Sequence, residues 1–118
     1  MEHTFVICAY KESPYLEKCI GSLKTQTISS HVVMTTSTPN AHIENVACRY
    51  DIPLYIRDGK PDIAADWNYA YSKAETPYVT IAHQDDIYYQ EYAKNVIENA
   101  KKYDDTLIVF TDYSELRN

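Results

Sequence analysis

Glycine is almost missing from this chain. Its 118 residues hold two, Gly21 and Gly59. Neither belongs to a G-x-G-x-x-G run or a Walker loop, so the common glycine-rich phosphate cradles are excluded. Cysteine is also scarce: Cys8, Cys19 and Cys48 form no C-x-x-C pair. An odd number of thiols on apolar-patterned segments reads as buried cysteine rather than a disulfide framework. A reducing cytoplasm, or the inner face of its membrane, is the location this implies. Positive charge is in deficit, with 11 Lys and Arg against 17 Asp and Glu for a net charge of −6. That argues against a general nucleic-acid binder, which needs a basic stripe. It leaves room for an anionic small molecule, because a divalent cation can bridge carboxylates to phosphate. No apolar run approaches the roughly 18 residues of a membrane span. The start, MEHTFVICAY, lacks a basic stretch and a small-residue cleavage site, so no signal peptide is expected.

What is present reads as one globular domain over residues 1–118, long enough to bury about two-thirds of its unfolded surface. Tyrosine is abundant at 12 residues, which suits partly buried faces that stack and hydrogen-bond. HTFVICAY, HVVMTT, PLYIR, PYVTIA and TLIVFTDY are short, apolar and rich in β-formers, and predict five strands. Between them lie helical patterns. Ser13 and Pro14 suit an N-cap and first helical position before Leu16, Cys19, Ile20 and Leu23. Ile43, Val46 and Ala47 mark a second helix, Pro61 to Lys73 a third, and a fourth runs from about Tyr89 to Tyr103 with Tyr92, Val96, Ile97 and Ala100 inward. Strand and helix alternate with short connections. The fold expected is α/β, a Rossmann-like three-layer sandwich around a mainly parallel sheet.

Open sheets of this kind bind ligands beyond the carboxyl ends of their strands. AYKES, TSTPN, RDGKPD and HQDDIY fall there, so a ligand would meet Tyr10, Glu12, Thr36, Asp58 and Asp85. The adjacent Asp85 and Asp86 repel one another unless a cation or donors offset them. They suit Mg²⁺ or Mn²⁺, which take oxygen ligands; equally, they suit a turn and a helix cap. His83 is open to the same two readings, metal ligand or strand-end hydrogen bonder. Asp66, Trp67 and Asn68 are poor helix formers set beside alanines. Residues two apart diverge on a helix, so at most one of Asp66 and Asn68 faces any one ligand.

FVICAYKESPYLEKCIGSLKTQT, VVMTTST and IAADWNYAYSKAETPYVTIAHQDD, in that order, resemble the amino-terminal half of family 2 glycosyltransferases, which have the GT-A fold. The resemblance covers residues 4–113. It implies a donor site for a nucleotide-diphospho-sugar and a glycan or lipid acceptor. Ala9, Tyr10 and Glu12 would lie against the nucleoside. Asp85, matching the second Asp of a D-x-D motif, would hold Mn²⁺ or Mg²⁺ on the pyrophosphate. Asp86 would order the loop or touch the sugar, and Asn68, with Asp66 beside it, would sit near the ribose or donor sugar. The chain departs from the pattern where Thr36 and Ser37 replace an Asp pair after the second strand, and where His83 replaces the first Asp of D-x-D. Cys8 and Lys11 replace the Pro and Asn of the first turn. The family's acceptor-binding half and its carboxylate base come later, so this chain is expected to be the donor-binding piece of a longer protein. An open sheet edge would then favour self-association. A non-catalytic nucleotide-binding or regulatory module is the alternative. An unrelated phosphotransfer domain ranks below both, because it would place its Asp where Ala9 and Tyr10 stand.

Overall fold

A computed structural model describes residues 2–102 and 108–110. Nine elements alternate: β1 (His3–Ala9), α1 (Leu16–Lys24), β2 (His31–Thr36), α2 (Ala41–Arg49), β3 (Leu54–Ile56), α3 (Ile63–Ser72), β4 (Tyr78–His83), α4 (Tyr92–Lys102) and β5 (Ile108–Phe110). The five strands form one sheet in the order β3-β2-β1-β4-β5. Every pair is parallel, with Ile7 opposite Met34 on one side and Ala82 on the other.

The continuous apolar run of β1 is explained by burial on both faces. Side chains alternate across a strand. Phe5, Ile7 and Ala9 enter one core with Leu16, Cys19 and Ile20 of α1, Ile43 and Val46 of α2, and Tyr92 and Val96 of α4. Val6 points the other way, against Ala70 and Trp67 of α3 together with Val79 and Ile81. The helices thus cover the sheet from both sides, three on one face and α3 on the other. Phe5 is completely buried and packs against Tyr88 and Tyr92, ring centroids 5.9 and 6.0 Å away. Truncating such a side chain costs about 3–5 kcal/mol.

Several boundaries differ from the sequence reading. Regular α1 begins at Leu16, because Pro14 and Tyr15 form a turn first. Ser13 still caps that turn, its Oγ accepting from Tyr15 N at 3.1 Å. α4 begins at Tyr92 rather than Tyr89. Tyr88, just ahead of it, is pinned instead by core packing and by accepting at its hydroxyl from His83 N at 3.1 Å. Neither Asp85 nor Asp86 therefore caps a helix. Cys19 is buried and Cys8 half-buried, whereas Cys48 is exposed. Position 48 lies one residue past Ala47, about 100° beyond the edge of the buried face of α2 formed by Ile43, Val46 and Ala47. The inward placement of Ala100 and the outer ends of TLIVFTDY lie outside the described side chains.

The chain first winds outward from β1 to β2 and β3. Helix α3 then packs across β1, β2 and β4 and returns it to the other flank of β1. This reversal opens a crevice at the carboxyl ends of β1, β2 and β4.

Candidate functional site

A cavity of about 520 Å³ occupies that crevice. Cys8, Ala9 and Tyr10 line it from the end of β1 and the residue after it, Thr35, Thr36 and Ser37 likewise from β2, and His83, Gln84 and Asp85 from the end of β4 and the turn that follows. Arg57, Pro61, Asp62 and the α3 residues Ile63, Asp66, Trp67 and Tyr69 close the remaining side. Of the residues expected at the site, Ala9, Tyr10, Thr36, Asp66 and Asp85 come together here. Glu12, Asp58, Asn68 and Asp86 do not line the cavity.

The reasons are local. Lys11 takes a left-handed conformation, φ 53°, and its N–H and carbonyl are held by Thr38 Oγ1 at 2.7 Å and Asn40 Nδ2 at 2.9 Å. The chain therefore swings away after Tyr10, and Glu12 is exposed outside. Asn68 is exposed on a different face of α3 from Asp66. Asp86 turns inward: its N–H donates to His83 O at 3.1 Å, and it is 9% exposed. Burial pushes the nearby Cys19 thiol up to about 12, with the Asp86 and Asp85 charges adding to the effect. Asp85 stays exposed and accepts from the Ser13 hydroxyl.

The β1 and β4 loops are tied by one side chain. Gln84 Oε1 accepts from Tyr10 N at 3.0 Å, and its Nε2 donates to Tyr10 O at 2.9 Å. Across the cavity, Arg57 Nε donates to Asp66 Oδ1 at 2.7 Å and Ser37 Oγ donates to Asp66 Oδ2 at 3.2 Å. Trp67 stands edge-on to His83, ring centroids 5.9 Å apart. Burial pushes the Cys8 thiol up to about 11; a hydrogen bond from Thr35 opposes this, and the Asp66 charge adds to it.

Arg57, Ser37 and Gln84 emerge here as residues whose roles the sequence pattern did not assign. Arg57 reads as an ordinary strand-end cation. A lone glycine two residues later, in a chain nearly without glycine, is the signal that could have marked its loop as built to a shape.

The cavity is acidic. Asp62, Asp66 and Asp85 face Arg57, the one Lys or Arg among its lining residues. A diphosphate could not settle beside that excess of negative charge without a cation. Yet no group of three His, Cys, Asp or Glu that could hold a metal occurs among the described residues. Asp66 is already engaged by Arg57, and Asp62 caps α3, its Oδ2 accepting from Ala65 N at 2.8 Å, which leaves Asp85. One carboxylate fits Mg²⁺ or Mn²⁺ when ligand phosphates and water supply the other oxygens. It does not fit a resident ion bound by protein alone.

The profile of "Glycosyl transferase family 2" matches residues 4–116. A comparison with curated proteins found no match. Among solved structures, S. aureus TarS superposes with a TM-score of 0.68 at 18% identity, over 87% of this chain and 20% of that one. S. aureus TarS 1-349 gives 0.69 at 18% identity, over 86% of this chain and 33% of that one. The chain thus spans between a fifth and a third of these two proteins, and shares their fold over that part.

Proposed function

The chain belongs to glycosyl transferase family 2, and on that premise we propose that it is the donor-binding part of an enzyme that moves a sugar from a nucleotide-diphospho-sugar to a glycan or lipid acceptor. The observation that carries this reading is the acidic cavity at the carboxyl ends of β1, β2 and β4, with exposed Asp85 at its β4 side. In this reading the nucleoside lies between Ala9, Tyr10, Thr36 and Asp66, and Asp85 holds Mn²⁺ or Mg²⁺ against the pyrophosphate. The metal would offset charge building on the departing diphosphate. Ser13 would aim the carboxylate, and Gln84 would hold the loop that carries it.

Deprotonating the acceptor hydroxyl is a separate task that needs a general base. Because the chain spans only part of its solved relatives, we assign that base, and acceptor binding, to a longer protein containing it. A cytoplasmic location, a role in surface polysaccharide or glycolipid assembly, and association of copies through an open sheet edge belong to the same proposal. No helix among the described residues is long and apolar enough to cross a membrane.

The test is titration calorimetry with UDP, GDP and their sugars, with and without Mn²⁺, on the wild-type chain and Asp85→Asn. Binding that needs both the metal and Asp85 supports the reading; tight binding indifferent to both would overturn it. The lack of a three-residue ligand group among the described residues favours one competitor, a metal-free nucleotide-binding module. Binding without Mn²⁺ is its signature.

A further inference from the structure

Two of the three carboxylates lining the cavity, Asp85 and Asp66, come from opposite sides and are held differently. Asp85 is exposed and accepts from the neutral Ser13 hydroxyl. Asp66 is recessed, its side chain 23% exposed, and is neutralised by the Arg57 guanidinium at 2.7 Å. A carboxylate already paired with a guanidinium is a poor ligand for a cation. It remains a good acceptor, because its two oxygens offer about four lone pairs and Arg57 and Ser37 occupy two of them.

Arg57 is itself built in. Its Nη1 and Nη2 donate to the carbonyls of Asp58 and Lys60, so the loop wraps the guanidinium. Gly59 makes the wrap possible: its φ is +112°, and a Cβ there would sit 3.3 Å from Arg57 Nη1. The guanidinium is thus committed to the loop and to Asp66. Trp67 and Tyr69, from the same helix as Asp66, add aromatic wall on this side.

Resting on the donor-site reading, we propose a division of labour in which Asp66 is the specificity-determining acceptor for a neutral N–H or O–H donor of the ligand's nucleoside, and Arg57 is the positioning residue that aims it. The donor is either a ring N–H of the base or the ribose 2′-hydroxyl; the chemistry is shared, and the ligand series below separates them.

The experiment is calorimetric titration, in Mn²⁺, of the wild-type chain, Asp66→Asn and Arg57→Lys. The ligands are UDP and GDP, 2′-deoxy-UDP and 2′-deoxy-GDP, and the N3-methyl and N1-methyl base forms. A hydrogen bond to a charged group is worth about tenfold or more in affinity. The expected result is a loss of at least that size for the tighter natural nucleotide in both variants. Exactly one donor-deleted ligand should bind wild type correspondingly weakly and be insensitive to either substitution. A 2′-deoxy ligand behaving so identifies the ribose; an N-methyl ligand identifies the base. Arg57→Lys keeps the charge but not the fork, so it tests aim as distinct from charge, and thermal melting checks that each variant is folded. Unchanged affinity in both folded variants, while Asp85→Asn still abolishes binding, would overturn this proposal and leave the donor site standing. No nucleotide binding by folded wild type would overturn both.

Discussion

Gln84 grips the main chain of Tyr10 at both its N–H and its carbonyl, at 3.0 and 2.9 Å. Cys8 pairs with His83 in the β1–β4 ladder, so this side-chain amide continues the ladder past the last strand residue. Asp85 is the next residue, and its position follows from the grip. Gln84→Glu keeps the acceptor but sets a carboxylate oxygen against the Tyr10 carbonyl. A loss of about 1 kcal/mol in urea-unfolding free energy is expected, with Gln84→Ala similar.

Ser13 serves two partners, donating to Asp85 and accepting from Tyr15 N. Ser13→Ala should lower stability by about 1 kcal/mol, as loss of a side-chain hydrogen bond does. It should also weaken Mn²⁺-dependent nucleotide binding, whereas Thr at this position should retain most of both. Calorimetry and chemical unfolding on the same samples check the pair of effects.

Stability should fall in mild acid because of His3. Its ring is fully buried, with Nδ1 2.9 Å from Ser30 Oγ and Nε2 2.8 Å from Thr80 Oγ1. Burial lowers its pKa to about 4 from 6.5. The unfolded chain therefore takes the proton first, so this contribution is complete above about pH 6.5 and is lost as pH drops toward 4. The loss reaches about 3 kcal/mol. Unfolding midpoints across that window should slope less steeply in His3→Gln than in wild type.

The element order was readable because parallel strands buried on both faces give unbroken apolar runs, and because Leu16, Cys19, Ile20 and Leu23 keep a helical period. The carboxyl-edge rule then brought Tyr10, Thr36 and Asp85 to one place, with Ala9 added by the family resemblance, although Asp58, expected by the same rule, does not line the cavity. Glu12 and Asp86 were not readable in the same way. Their directions depend on a left-handed Lys11 and on a turn closed at His83, and neither leaves a periodic signature. The link from Arg57 to Asp66 spans nine residues and a loop, so it appears only once α3 is docked on the sheet. Cys48 shows the reverse case: a small apolar residue in a helical pattern that happens to fall off its buried stripe.

Gly59→Ala should destabilise by about 1–2 kcal/mol, since φ +112° is strained for any residue with a Cβ. Because the loop encloses Arg57, nucleotide affinity should drop with it. Thermal melting and calorimetry measure the two effects.

Thiol labelling at pH 8 should modify Cys48 first. Burial holds Cys8 and Cys19 protonated, near 11 and 12, and the thiolate is the reactive form. Mass spectrometry of a time course with iodoacetamide should find one fast site, mapping to residue 48.

The reversal of winding at β1 means that the cavity's opposing sides are drawn from stretches well separated in sequence, within 57–69 on one side and 83–85 on the other. Substitutions confined to the first stretch can reshape its side without touching the Ser13–Asp85 hydrogen bond or the Gln84 grip. The architecture is therefore modular: one flank can be exchanged, altering what it discriminates, while the other keeps its own hydrogen bonds.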